Sequence, residues 1–162
     1  NPASSPSTNP CRLGCAEAFT TQPDSVVFTT VGVGFGLLSK TGADPILAST
    51  GNLELSPDAP QYFLKSPVYL KHGVTWAEIT LLDGDITFAW VPASVWTGPP
   101  GWSLTPYLAD TVRLESCNGS STGFLGGALS PSKKQCVTLG LRSNLHPDVE
   151  PFEVGIGNGA CD

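Results

Sequence analysis

Apolar residues alternate with polar or small residues at a period of two over most of the chain from Ser25 onward. This is the pattern of half-buried β-strands. One run has Val112 and Leu114 on one face and Arg113 and Glu115 on the other. The runs are short and are separated by many of the 18 glycines and 15 prolines, and helix signals are nearly absent. The pattern predicts an all-β protein with two antiparallel sheets face to face, an immunoglobulin-like or jelly-roll sandwich.

The dipeptide Asp83-Gly84 lies between two alternating runs, Trp76–Leu82 and residues 86–90. Asp-Gly favours the primed two-residue turns that connect antiparallel strands, so we expect a β-hairpin here. Each run contains one tryptophan, and we expect both Trp76 and Trp90 in the core because tryptophan is highly buried on average.

Three glycines, Gly32, Gly34 and Gly36, occupy alternate positions of one predicted strand. The other face of that strand holds the apolar residues Val27, Val31, Val33, Phe35 and Leu37. A strand face without side chains indicates that a ring, another sheet or another chain lies close to the backbone. A phosphate-binding loop is disfavoured because no helix start follows these glycines.

The chain divides into an N-terminal arm and one domain. Residues 1–10 are mainly proline, serine and asparagine with almost nothing apolar to bury, so residues 1–24 are predicted to form an extended arm anchored by Cys11 and Cys15. Residues 25–162 are predicted to form a single β-sandwich domain.

Five cysteines and no methionine predict the compartment. A chain that begins at Asn1 without methionine is expected to have lost its initiator with a cleaved signal peptide. Several cysteines near the two ends and around one internal segment suit disulfide bonds in an oxidising environment. We therefore expect a secreted, extracellular protein, with association at the cell surface as an alternative.

The phase of the strands suggests a disulfide pairing. Cys117 and Cys136 both fall on the polar faces of their strands and lie 19 residues apart, which makes them candidates for one bridge. Cys161 is then expected to pair with Cys11 or Cys15, and one cysteine is left unpaired.

The net charge of −6 restricts the partners. Nucleic acid and anionic lipid bind through clustered lysine and arginine, whereas the eight basic residues here are scattered, with Lys133-Lys134 as the one adjacent pair. We therefore expect no nucleic-acid partner. No apolar run approaches the roughly 18 residues that span a bilayer, so no membrane insertion is expected.

Residues that carry chemistry are few and dispersed. The two histidines, His72 and His146, lie in no zinc-ligand spacing, and no nucleophile elbow is present. His146-Pro147-Asp148 is interpreted as a solvated loop between two strands. No facing pair of carboxylates is indicated. The sequence therefore predicts no catalytic residue, no metal and no cofactor, and the protein is not expected to be an enzyme.

The best candidate binding residues are aromatic. Trp96 and Trp102 flank the segment TGPPG, which is expected to be an irregular surface loop, and Tyr107 follows. Indoles on a proline-stiffened loop can stack on sugar rings or anchor a protein partner. The alternative is that these rings cover one end of the sandwich as part of the core.

The segments KSPVYLK, AWVPASVWTG, VRLESC, FLGGAL and QCVTLGLR, with the near-terminal Cys161, resemble a group of predicted secreted proteins from actinobacteria. The resemblance covers residues 62–162. It implies export and supports the pairing of Cys117 with Cys136, and it carries no catalytic residue with it.

These observations favour a non-catalytic extracellular binding or assembly module. Its partner would be a second copy of the chain, as a homo-oligomer, or another secreted or cell-wall component. A carbohydrate-binding module for an envelope glycan or polysaccharide, using Trp96 and Trp102, is the alternative from another functional class. A hydrolase ranks last.

Alanine substitution separates the two interpretations of the loop tryptophans. If Trp96 and Trp102 bind a ligand, Trp96→Ala and Trp102→Ala should each weaken binding by more than about 1 kcal/mol and leave stability nearly unchanged. If they are core residues, each should lower the free energy of unfolding by about 3–5 kcal/mol. Thermal melts beside a glycan-binding screen decide between them, and two strongly destabilised variants with a silent screen would contradict the binding role.

Overall fold

The computed structural model describes residues 11–19, 26–36, 44–47, 62–96 and 107–161, with the backbone alone at residues 46, 47 and 96. The described residues form 11 strands, a 3-10 turn at Cys15–Glu17 and one short helix, α1 (Ala93–Trp96). The strands are β1 (Cys11–Leu13), β2 (Val33–Phe35), β3 (Ile46–Leu47), β4 (Tyr62–Lys65), β5 (Val68–Leu70), β6 (Trp76–Asp83), β7 (Thr87–Val91), β8 (Thr111–Glu115), β9 (Thr122–Ser130), β10 (Gln135–Ser143) and β11 (His146–Ile156).

The strands form two sheets that pack face to face. The five-stranded sheet has the order β1-β8-β6-β10-β11, and the six-stranded sheet contains β2-β5-β9-β4-β3 with β7 paired to β9. The pair β1–β8 is parallel, and the other pairs of named strands are antiparallel. The all-β sandwich predicted from the period of two is confirmed.

The core forms where the apolar faces of the two sheets meet. Val112 and Leu114 of β8 are fully buried, as the alternation predicts, while Glu115 is exposed. The six-stranded sheet contributes Phe88 and Phe124, which are among the largest fully buried side chains. Burying one such side chain stabilises the fold by about 1.5–3 kcal/mol, so the alternating faces supply the main driving force for the sandwich.

The predicted hairpin at Asp83-Gly84 is wrong, because β6 and β7 lie in different sheets. β6 already has β8 on one side and β10 on the other, so β7 crosses to the other sheet and pairs with β9. β7 suits that position because both of its faces are buried. Phe88 and Trp90 belong to the main core, and Ala89 and Val91 belong to a second cluster under α1.

Two segments for which the sequence predicts a loop or an extended arm form strands in the structure. His146-Pro147-Asp148, predicted as a loop, begins β11, and the turn of the β10–β11 hairpin lies at residues 144–145. Within the predicted arm, β1 pairs with β8, and Leu13 is 1 % exposed opposite Leu114. Residues 11–13 are therefore an integral part of the sandwich.

The three glycines Gly32, Gly34 and Gly36 lie against close neighbours, as predicted, and the neighbours found belong to the same chain. A Cβ atom at Gly34 would lie 2.5 Å from Val26 Cγ1 and 3.0 Å from Phe28 Cδ1. A Cβ atom at Gly36 would lie 3.0 Å from a ring carbon of Tyr69. The bare strand face therefore accommodates side chains of the preceding segment and of β5.

The alternating face does not extend back as far as the sequence predicts. β2 begins at Val33, and a turn precedes it in which the Gly32 N–H donates to the Thr29 carbonyl at 2.9 Å. Gly32 has φ of +89°, a conformation that favours glycine. Val27 lies before this turn and is 84 % exposed.

The disulfide pairing differs from the prediction. Cys15 bonds Cys117, and Cys136 bonds Cys161, while Cys11 is a free thiol. The predicted Cys117–Cys136 bond fails because β6 lies between β8 and β10. Two strand spacings are about 9.6 Å, which exceeds the Cα–Cα distance that a disulfide spans. The predicted bond of Cys161 to Cys11 or Cys15 is likewise wrong.

Replacing Gly34 with valine should destabilise the fold. The new side chain would collide with Val26 and Phe28, and overpacking of this kind costs about 1–3 kcal/mol. Gly14→Ala is the matched control, because a Cβ atom there would lie 3.8 Å from Glu17 Oε1, an ordinary contact. Urea denaturation of both variants measures the difference, and an unchanged midpoint for Gly34→Val would contradict the packing argument.

Candidate functional site

The predicted loop site falls mostly outside the described residues. Trp102 and the side chain of Trp96 belong to the part of the chain that the structure leaves undescribed. Tyr107 is half-buried and packs against the second core cluster, which contains Phe63 and Leu129. The arrangement of Trp96 and Trp102 therefore stays a prediction, and Tyr107 has a packing role within the fold.

The other two tryptophans have different environments. Trp90 is 3 % exposed and its Nε1–H donates to the Ser66 carbonyl at 2.9 Å, so its predicted core position is confirmed. The core prediction for Trp76 is wrong, because this side chain lies on the outer face of the five-stranded sheet. The alternation in the sequence indicates this position, because Trp76 has the same phase as the charged residue Glu78. Ala77, which lies between them on the other face, is fully buried.

A row of four charged residues crosses this outer face beside Trp76. In the strand register, Arg12 of β1 lies opposite Arg113 of β8. Arg113 lies opposite Glu78 of β6, and Glu78 lies opposite Arg142 of β10. These are all three arginines of the chain. We call Arg12, Arg113, Glu78 and Arg142 the arginine row. Residues far apart in the sequence are thus brought together by strand register.

Glu78 holds the two inner arginines through different contacts. Arg142 Nε and Nη2 lie 2.8 and 2.6 Å from Glu78 Oε1. Arg113 Nη1 lies 3.4 Å from Glu78 Oε2, and Arg113 Nε lies 3.4 Å from Glu115 Oε2. The Glu78 side chain is 16 % exposed, and the Glu115 side chain is 50 % exposed. Glu78 therefore bridges two guanidinium groups at a half-buried position.

Both of these guanidinium groups also lie over the Trp76 ring. The Cζ atom of Arg113 is 4.6 Å and that of Arg142 is 5.1 Å from the ring centroid. Cation–π attraction of this kind contributes about 0.5–1 kcal/mol at exposed positions. The indole and the two arginines are consequently held in one arrangement by the shared carboxylate and by the ring.

An apolar strip lies farther along the same face. Leu82 and Val149 are 51 % and 54 % exposed. They flank Gly140, where an added Cβ atom would lie 2.8 Å from Val149 Cγ1 and 3.1 Å from Leu82 Cδ2. The outer face thus combines exposed apolar side chains with an ordered group of tryptophan and arginine.

A second polar cluster, at the edge of β11, makes contacts that bear on the hydrolase alternative. Thr30 Oγ1 donates to Glu150 Oε2 at 2.7 Å, and His146 Nε2 lies 3.5 Å from the same oxygen. His146 Nδ1 lies 2.8 Å from the Asp148 carbonyl oxygen. The threonine hydroxyl contacts the carboxylate rather than the imidazole, so these residues do not form the hydroxyl–histidine pair of an activated nucleophile. They join β11 to the turn before β2.

The described residues contain two further features that bear on binding or reactivity, a small cavity and a free thiol. A cavity of about 20 Å³ lies between the sheets behind Phe35 and Trp90, and this volume holds little more than one water-sized group. Burial raises the pKa of the Cys11 thiol above its ordinary value, which lowers its reactivity. Across the described segments no cluster of three or more histidine, cysteine or acidic side chains could hold a metal. No helix in these segments is long and apolar enough to span a membrane.

Comparison with known proteins finds no match. No protein-family model, no curated protein and no solved structure matches this chain.

The two acidic residues of the site should contribute unequally to stability. Glu78→Gln removes the carboxylate that bridges two partly buried guanidinium groups, and we expect the free energy of unfolding to fall by about 1–3 kcal/mol. Glu115→Gln is the matched control, because its exposed ion pair is worth no more than about 1 kcal/mol. Urea denaturation of both variants measures the difference, and equal effects would contradict the bridging role.

Proposed function

We propose that this protein is a secreted, non-catalytic binding or assembly module of the cell exterior, and that the outer face of its five-stranded sheet is the binding surface. The observation that carries the proposal is the group of Trp76, Arg113 and Arg142, all partly exposed, on the outer face of this sheet. Tryptophan and arginine are enriched among the residues that dominate binding energy at interfaces.

The order of this group supports a binding role. The contacts with Glu78 and with the indole restrict the rotamers of Arg113 and Arg142 before any partner arrives. Side chains that are already ordered lose less entropy on binding. Leu82 and Val149 add exposed apolar surface on the same face, which a partner could cover.

The two disulfides support a location in an oxidising compartment, where such bonds form and persist. Export, a signal peptide and kinship with the secreted actinobacterial proteins are parts of the proposal. The partner is a second copy of the chain or another secreted or cell-wall component. An envelope glycan is a second candidate, and the partly exposed indole of Trp76 favours it because indoles stack on sugar rings.

The test compares Trp76→Ala with His72→Ala. His72 is exposed and follows β5 of the six-stranded sheet, and its side chain forms no hydrogen bond or ion pair with the described residues, so it serves as the matched control. Self-association is measured by sedimentation velocity over a concentration series, and glycan binding by co-sedimentation with an insoluble cell-wall polysaccharide preparation. Thermal melts confirm that both variants fold.

The unsubstituted protein is expected to self-associate or to bind the polysaccharide. We expect Trp76→Ala to weaken that interaction by more than about 1 kcal/mol, and His72→Ala to leave it unchanged. Equal behaviour of Trp76→Ala and the natural chain would contradict the assignment of this face. A natural chain that neither self-associates nor sediments with the polysaccharide would contradict the binding role itself.

A further inference from the structure

The outer end of the arginine row contains a like-charge pair. Arg12 and Arg113 occupy directly paired positions of β1 and β8, and the neighbouring pair Leu13 and Leu114 is buried, so both arginines face outward. Arg12 is exposed, and no carboxylate in the described part of the chain lies within ion-pair distance of it. Like charges directly opposite one another in a sheet destabilise the pairing. An anion between the two guanidinium groups would remove that cost.

Arg113 also has N–H donors that could form shorter hydrogen bonds with another acceptor. Its two ion-pair contacts, to Glu78 and Glu115, are both 3.4 Å long, beyond the usual range of 2.7–3.2 Å for an N–H···O hydrogen bond. The short contacts of Glu78 go to Arg142 instead. A guanidinium group has five N–H donors, so most of the donors of Arg113 are available.

The charge of the row contrasts with that of the whole chain. Beside Trp76, the three guanidinium groups of the row face two carboxylates, those of Glu78 and Glu115, which leaves a local excess of one positive charge in a protein whose net charge is −6. The overall negative charge opposes a dense polyanion such as nucleic acid. A ligand with more widely spaced single charges meets less of this opposition than nucleic acid does.

We propose that Arg12 and Arg113 bind a carboxylate group of an acidic polysaccharide, with Trp76 beside them as the contact for a sugar ring. This inference rests on the proposed function and specifies its ligand class. The acceptors that the site already uses, Glu78 and Glu115, are carboxylates. The ligand carboxylate would bridge Arg12 and Arg113 as Glu78 bridges Arg113 and Arg142, and would replace the long contact with Glu115.

The experiment titrates the full chain with polygalacturonate, dextran sulfate and neutral dextran by calorimetry. Polygalacturonate supplies carboxylates, dextran sulfate supplies another anion, and neutral dextran supplies sugar rings without charge. Each titration is made at low ionic strength and repeated at about 0.5 M NaCl, which screens exposed charges. Arg12→Gln removes one charge of the pair, and Lys71→Gln removes one exposed positive charge from the end of β5 as the matched control.

We expect polygalacturonate to bind more tightly than either dextran, and the Kd to rise on addition of salt. Arg12→Gln should raise that Kd about tenfold, the effect of losing a charged hydrogen bond, whereas Lys71→Gln should change it less than about twofold. The melting temperature of Arg12→Gln should not fall, because the substitution removes a repulsion. This last readout separates loss of a ligand contact from loss of structure.

Equal losses in Arg12→Gln and Lys71→Gln, or tighter binding of dextran sulfate than of polygalacturonate, would overturn the carboxylate site. If polygalacturonate does not bind while Trp76→Ala still weakens self-association or binding to neutral dextran, the anionic ligand is wrong and the proposed binding face stands. If no probe binds and Trp76→Ala has no effect on self-association, both proposals fail.

Discussion

The close approach of three strands to Gly126 and Gly127 is the constraint on which the six-stranded sheet depends. β4 and β5 follow one another along one edge of β9, and the Ser66 N–H between them donates to the Gly126 carbonyl at 2.9 Å. β7 pairs along the other edge. A Cβ atom at Gly127 would collide with the Leu64 carbonyl oxygen, and one at Gly126 with the Ala89 carbonyl oxygen. These are backbone atoms, which cannot yield without breaking the pairing. The Trp90 indole of β7 also donates to the Ser66 carbonyl on the opposite edge of β9, which links the three strands further.

This arrangement determines which strand lies at the centre of the five-stranded sheet. β7 is committed to β9, so β6 keeps β8 and β10 as its neighbours and lies at the centre of the other sheet. Its inner face, with Ala77 and Ile79, is fully buried. The outer face of β6 therefore carries Trp76 and Glu78 between the arginines of the two neighbouring strands. The site is a consequence of which strand occupies the central position.

The sequence predicts which face a side chain occupies more reliably than it predicts its neighbours. Alternation correctly assigned Val112 and Leu114 to the core and indicated a close neighbour at Gly34. It could not assign strand order, and for that reason the hairpin at Asp83-Gly84 and the pairing of Cys117 with Cys136 were wrong. The average burial of tryptophan predicts a core position for Trp76, whereas its phase with Glu78 indicates the outer face that it occupies. The loop tryptophans remain a prediction.

The arginine row shows the same limit for charged residues, because their positions along the sequence do not predict which of them become neighbours across strands. Along the sequence the basic residues are scattered, which argues correctly against a continuous basic segment and says nothing about clustering across strands. Arg12 and Arg113 are about 100 residues apart, and parallel pairing of β1 with β8 sets them side by side. β1 has three residues and pairs on one edge, so its ladder alone is a weak determinant of register.

The Cys15–Cys117 disulfide supplies what the short strand lacks. It joins the residues just beyond the ends of β1 and β8 across a sequence separation of 102, and a loop of that size contributes about 4.7 kcal/mol by the chain-entropy estimate. The bond therefore holds β1 against β8 in the register that sets Arg12 opposite Arg113. Reduction would release the one strand that carries Arg12, whereas Arg113, Glu78 and Arg142 would keep their antiparallel ladders. An oxidising compartment is thus a condition for the complete row as well as for the stability of the sandwich.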